Sequence, residues 1–172
     1  MTKRESILLK RRSIRKYTGK KVKKTDIMCI IKSGMFAPSA HNREPWFFIV
    51  IDDKKIFEII MKNHPYAGML KSAPVAILVC ADTRKQKEKM YYAQDLSATT
   101  ENMLLQATEL GIGSCWVGIF PKQERSKPLI HALNIPNYII PFSLIVLGYA
   151  DEKPSSRHKF EKDRIVFNRM KK

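Results

Sequence analysis

The chain has 172 residues, the size of one domain and not of several. Apolar residues make up 44% of it and charged residues 28%, a balance that excludes wholesale disorder. Lys and Arg number 32 against 16 Asp and Glu, so the formal charge is +16 and an anionic partner is expected: nucleic acid, a membrane surface or a phosphorylated small molecule.

The excess charge sits at the ends. Residues 1–24 carry eleven basic side chains and one acid, Glu5; residues 153–172 carry eight basic side chains and two acids. No apolar run approaches the roughly 20 residues that span a bilayer, and the first 24 residues lack a signal-peptide core, so a cytoplasmic protein is expected. Cys29, Cys80 and Cys115 each lie in an apolar stretch without metal spacing and are expected as buried, reduced thiols.

In chain order, Thr2 or Ser6 can cap a first helix through Ile7, Leu8 and Leu9, with Lys10, Arg11 and Arg12 in its last turn, where the helix dipole favours cations. Thr25 opens a second helix with Ile27, Ile30, Ile31 and Gly34 at helical spacing, stopped near Ala37-Pro38. Residues 46–51 and 75–80 are short apolar runs that predict buried strands, separated by an amphipathic helix over 54–62. A long helix is predicted over 91–110 and stopped by Gly111. A strand over 114–119, a helix over 122–133 and a strand over 143–147 follow, and the pattern is lost after Asp151. Mixed helices and strands without a regular repeat predict one α+β sandwich domain over 1–172, with 151–172 as a basic extension.

Three segments carry chemistry. Arg11, Arg12, Ser13 and Arg15 bring three guanidinium groups and a hydroxyl within five residues, suited either to a phosphate monoester or to a solvated helix end. The Ala37–Trp46 loop holds Ser39, His41, Asn42 and Glu44 between two prolines, so it reads either as a rigid platform for a heteroaromatic ring or as a self-capped turn. Gly111–Gly118 is rich in small residues, which admits a flat ligand against backbone amides or serves tight helix–strand packing.

Five ordered segments together resemble the short form of the FMN-dependent nitroreductase family. They are Arg11-Arg-Ser-Ile-Arg15, the Ala-Pro-Ser-Ala-x-Asn-x-x-Pro-Trp loop at 37–46, Asp95-Leu-Ser-Ala through Asn102-Met-Leu-Leu, Gly111 to Gly118, and Leu147-Gly-Tyr149. The resemblance implies an α/β sandwich with a mostly antiparallel central sheet flanked by helices. It also implies a homodimer with FMN at the interface and a C-terminal tail crossing to the partner subunit.

By that resemblance Arg11, Ser13 and Arg15 would hold the FMN phosphate and ribityl chain or the adjoining flavin edge, Arg12 would help through its backbone, and Arg157 would add a phosphate contact. Pro38, Ser39, Ala40, Asn42 and Glu44 would line the ring and ribityl chain from the other subunit, and the amides of Val117 and Gly118 would face flavin N5 and O4. NADH or NADPH would donate hydride and a nitroaromatic, quinone or similar small acceptor would take the electrons in ping-pong order, with no side chain as catalytic nucleophile and no metal.

The chain departs from the family pattern at Glu44, where Gln is usual, at Gly68, where some members place Lys, and at Ser155, where some relatives carry a second basic phosphate contact. Other readings are a basic nucleic-acid or polyanion binder, favoured by charge but without the aromatic or zinc signatures of a dedicated module, and an FMN protein of the same fold doing dehalogenation or flavin breakdown. Specific nucleic-acid binding is not expected.

Overall fold

The computed structural model describes residues 6–155 and 160–170. Four strands, β1 (Trp46–Ile51), β2 (Val75–Asp82), β3 (Gly113–Gly118) and β4 (Ile139–Gly148), form one sheet in the order β1-β2-β4-β3, with every neighbouring pair antiparallel. The helices are α1 (Ile7–Lys10), α2 (Lys24–Met35), α3 (Lys54–Asn63), α4 (Lys89–Glu109) and α5 (Gln123–Ala132).

The strand residues divide by the two-residue period of the pleat. Ala76, Leu78 and Cys80 of β2, with Leu144 and Val146 of β4, pack against Phe57 and Ile60 of α3 and Leu129 of α5. Val75, Ile77, Val79 and Ala81, with Ile145 and Leu147, face Ile30 and Ile31 of α2 and Leu96, Met103 and Leu104 of α4. The two central strands are therefore apolar on both faces, which explains their continuous hydrophobic runs, and the result is the α+β sandwich that the sequence predicts, with helices on both faces of the sheet.

Local signals fix the element ends. Asp53 Oδ1 accepts the Lys55 amide at 2.8 Å and caps α3. At the end of α4, Gly111 takes a positive φ of 70°, its N–H donates to Thr108 O at 3.1 Å, and Ile112 N–H reaches Ala107 O at 2.8 Å. This paired arrangement is the helix stop expected of Gly111, and it delivers the chain directly into β3.

Three expectations are corrected. The first helix stops at Lys10 instead of running through Arg12, because Ile14 and Tyr17 are buried against the sheet edge and draw residues 11–17 into an extended path. β4 starts at Ile139, four residues earlier than its apolar run suggests. Pro141 obscures that start in the sequence, but it sits at the register shift opposite Val79 and Cys80, where the regular ladder is interrupted. Cys29 is exposed, since the α2 stripe formed by Ile27, Ile30, Ile31 and Gly34 turns it away from the core; Cys80 and Cys115 are buried as expected.

Candidate functional site

The basic segment lies along the outer edge of β3. Ser13 bridges Ser114 in parallel, and Ile14 N–H donates to Ser114 O at 2.9 Å. Ile14 and Tyr17 point inward, and the Tyr17 hydroxyl donates to Ile14 O at 2.6 Å, so Ser13 is left half-buried and Arg15 exposed. The amides of Arg15 and Lys16 both donate to the Glu152 carboxylate, which ties the segment to the start of the tail.

The three guanidinium groups differ. Arg11 Nε pairs with Glu101 Oε1 at 3.1 Å, with both side chains partly exposed. Arg12 turns back on carbonyls, donating to Arg11 O at 2.8 Å and to Ser155 O at 3.3 Å. Arg15 makes no ion pair among the described residues. Beneath them, burial pushes the Cys115 thiol up, opposed by the charge of Arg15 and a hydrogen bond from Ser13. Ser114 Oγ is buried with no hydrogen-bond partner among the described residues. Arg157 lies outside the described residues.

The loop before β1 is held by bonds within itself and by bonds to α4 and the end of β2. Ser39 accepts Asn42 N–H on its carbonyl and Glu44 N–H on its hydroxyl, both at 3.0 Å. Ala40 N–H donates to the buried Asp95 Oδ1 of α4 at 2.8 Å, and Pro45 O accepts Asp82 N–H at 2.7 Å. These bonds force His41, Asn42 and Glu44 into left-handed backbone, with φ of 55°, 52° and 48°. Ser39 and Ala40 stay half-buried, while Pro38, Asn42 and Glu44 project into solvent. His41 is exposed and meets the Tyr91 ring edge-on at 5.9 Å, whereas Tyr92 is buried against Phe120 and anchors α4.

At the far end of β3, Ile119 N–H donates to Phe142 O at 3.1 Å. Antiparallel alternation then turns the Gly118 N–H and C=O outward from β4 and directs the Val117 amide into the ladder toward Leu144. A Cβ built on Gly118 would meet nothing within 4 Å, so the strand end faces open space. The Gly118 carbonyl accepts from His64 Nε2 at 2.8 Å and Arg125 Nη1 at 2.9 Å.

One chain therefore unites residues 11–15 with β3 but not with the loop. The register puts that loop at the same end of the sheet as Gly118 but on the opposite edge, three strand spacings or roughly 14 Å away. Asp95, Glu152, His64 and Arg125 were missed as supports. Asp95 stands in a segment singled out by resemblance, while lone His64 and Arg125 carry no spacing signal. Among the described residues no group of three or more His, Cys, Asp or Glu is placed to hold a metal, and no helix is long and apolar enough to cross a membrane.

The model of the nitroreductase family matches residues 8–63 and 58–149. A protein of Methanothermobacter thermautotrophicus, provisionally named NADH dehydrogenase/NAD(P)H nitroreductase, is 43% identical, covering 90% of this chain and 81% of its own. The solved structure of an FMN-dependent nitroreductase from Clostridium difficile is 31% identical with a TM-score of 0.87, covering 95% of this chain and 98% of the other. A protein of Desulfovibrio desulfuricans, provisionally named a nitroreductase and solved in complex with FMN, is 28% identical with a TM-score of 0.83 and 95% of each chain covered.

Proposed function

This chain belongs to the nitroreductase family, and from that premise we propose that it is an FMN-dependent NAD(P)H oxidoreductase reducing nitroaromatic, quinone or similar small acceptors. The observation that carries the reading is the placement of an arginine-rich segment along the same strand edge that ends in the outward amide of Gly118.

The residues present fit FMN. Arg15 is available to a phosphate, and the Arg11–Glu101 pair is partly exposed, worth about 0–1 kcal/mol, so Arg11 can exchange that carboxylate for a dianion at little cost. Ser13 offers a hydroxyl to the ribityl chain, Arg12 its backbone, and Arg157 a further phosphate contact. The open space at Gly118 admits the edge of a planar ring, and its N–H supplies a fixed donor where negative charge gathers on reduction. When bound, FMN supplies the redox chemistry by accepting hydride from NADH or NADPH and passing electrons to the acceptor.

Pro38, Ser39, Ala40, Asn42 and Glu44 complete the site from a second copy of the chain. Two features support a homodimer. The loop and β3 lie at opposite edges of one sheet, and large apolar side chains are exposed on α1 and at the end of α2, including Leu8 at 64%, Leu9 at 62% and Phe36 at 76%. The tail is proposed to cross onto that partner, since Phe160, Ile165, Val166, Phe167 and Met170 all lie exposed on their own chain. Residues 1–172 form one domain in this reading.

Anaerobic titration of the purified protein with NADH and NADPH tests the reaction. The flavin absorbance is expected to bleach with at least one nucleotide and to return on adding a nitroaromatic or quinone. A flavin that neither nucleotide bleaches would overturn the proposal.

A further inference from the structure

An outward carbonyl at the end of an edge strand lacks a ladder partner, and a single donor would satisfy it. The Gly118 carbonyl has two, from different elements. His64 immediately follows α3 as its C-terminal cap and is 4% exposed; Arg125 lies in the first turn of α5 and is half-buried. Tyr66 N–H donates to His64 Nδ1 at 3.1 Å, which makes Nδ1 an acceptor and assigns the ring proton to Nε2, the atom facing Gly118 O. The ring is further set by edge-on contact with Tyr66. The same peptide unit is fixed on its other side, where Ile119 N–H donates to Phe142 O.

Gly118 needs such a hold. It has no side chain, nothing surrounds the place where a Cβ would stand, and glycine loses more conformational freedom on ordering than any other residue. The Gly118 N–H shares a peptide plane with the Val117 carbonyl, which the register with Leu144 holds in the ladder, whereas the peptide on its other side ends the strand and is held by the Ile119–Phe142 bond and by the donors on its carbonyl. We propose that His64 and Arg125 are positioning residues: together they clamp the Gly118 carbonyl and so keep the end of β3, with its outward Gly118 N–H, from fraying away from the flavin edge. This inference rests on the FMN reading above. A buried neutral imidazole fixes direction, and the guanidinium adds a charge-assisted bond of greater strength. A lone buried histidine with no metal spacing thus acquires a role, as does a cation that makes no ion pair among the described residues.

The test uses FMN-loaded Arg125→Met, His64→Leu and His64→Gln proteins beside the wild type. Amide hydrogen exchange at Gly118 and Ile119 is measured together with the rate of FMN reduction by NAD(P)H. Loss of a charged hydrogen bond is expected to raise exchange at these amides about tenfold in Arg125→Met and to slow FMN reduction by a similar factor. His64→Leu should do the same, and His64→Gln, whose side-chain amide can donate to the same carbonyl, should recover most of both. Arg125 is half-buried, so Arg125→Met decides the matter even where His64→Leu does not fold. Exchange and reduction within twofold of wild type in Arg125→Met would refute the clamp. Raised exchange with unchanged reduction would confine it to the fold and overturn the positioning role. A wild-type protein that takes up no FMN would instead refute the flavin reading, and exchange in the unloaded protein would still report whether the carbonyl is clamped.

Discussion

The backbone N–H of Ala40 donates to Asp95 Oδ1 at 2.8 Å, so a carboxylate buried on α4 holds the loop that precedes β1. Asp95→Ala leaves that N–H without its partner, at a cost of about 1–3 kcal/mol. Urea unfolding is expected to show a loss of this size, with weaker FMN retention. Asp95→Asn, which keeps an acceptor, should lose markedly less on both counts. Equal losses would show that the bond does not hold the loop.

Replacing both Arg11 and Arg15 by Ala separates binding from folding. Each charged hydrogen bond to a phosphate is worth about 1.5–3 kcal/mol, so FMN affinity should fall at least tenfold per residue. The partly exposed Arg11–Glu101 pair contributes about 0–1 kcal/mol, so the unfolding midpoint should barely move. Isothermal titration with FMN beside thermal unfolding checks both. Unchanged affinity would remove these arginines from the site.

Two glycines make opposite predictions. At Gly148 an added Cβ would lie 2.8 Å from both Pro74 Cδ and Tyr17 Cδ1, atoms of rings that cannot fold away, so Gly148→Ala should destabilise by about 1–3 kcal/mol. At Gly118 the same methyl meets nothing, so Gly118→Ala should keep stability within about 0.5 kcal/mol while lowering FMN affinity. Calorimetry and FMN titration of the two variants distinguish a packing glycine from a binding one.

Acid should loosen the exit of the loop. The hydrogen bonds from Arg84, at 2.9 Å to Oδ1 and 2.7 Å to Oδ2, hold the Asp82 carboxyl below its usual range against the opposing effect of burial. A depressed folded pKa gives stability that is fully present above the ordinary Asp value of about 3.9 and is lost as pH falls through the lower folded value. Stability measured against pH should therefore drop below about pH 4 in the wild type, and the drop should be shallower in Arg84→Met. Identical profiles would exclude the pair as the cause.

The sheet and its layers are legible in the sequence because β2 and β4 are continuous apolar runs and because Gly111 stops α4 where its left-handed backbone does. What stays hidden is tertiary in origin. Arg11 and Arg12 continue a helical pattern, yet burial of Ile14 and Tyr17 pulls the chain onto the sheet edge. Pro141 reads as a strand breaker but occupies an irregularity in the ladder. Of the candidate site, the arginine segment and β3 meet within one chain. Nothing in the spacing of Asp95, Glu152, His64 or Arg125 announces that they hold its backbone from other elements.

Native mass spectrometry of the purified protein, taken with its visible absorbance, tests most directly whether two chains share FMN. A yellow dimer carrying two FMN molecules is expected. A colourless monomer that takes up no added FMN would contradict that expectation.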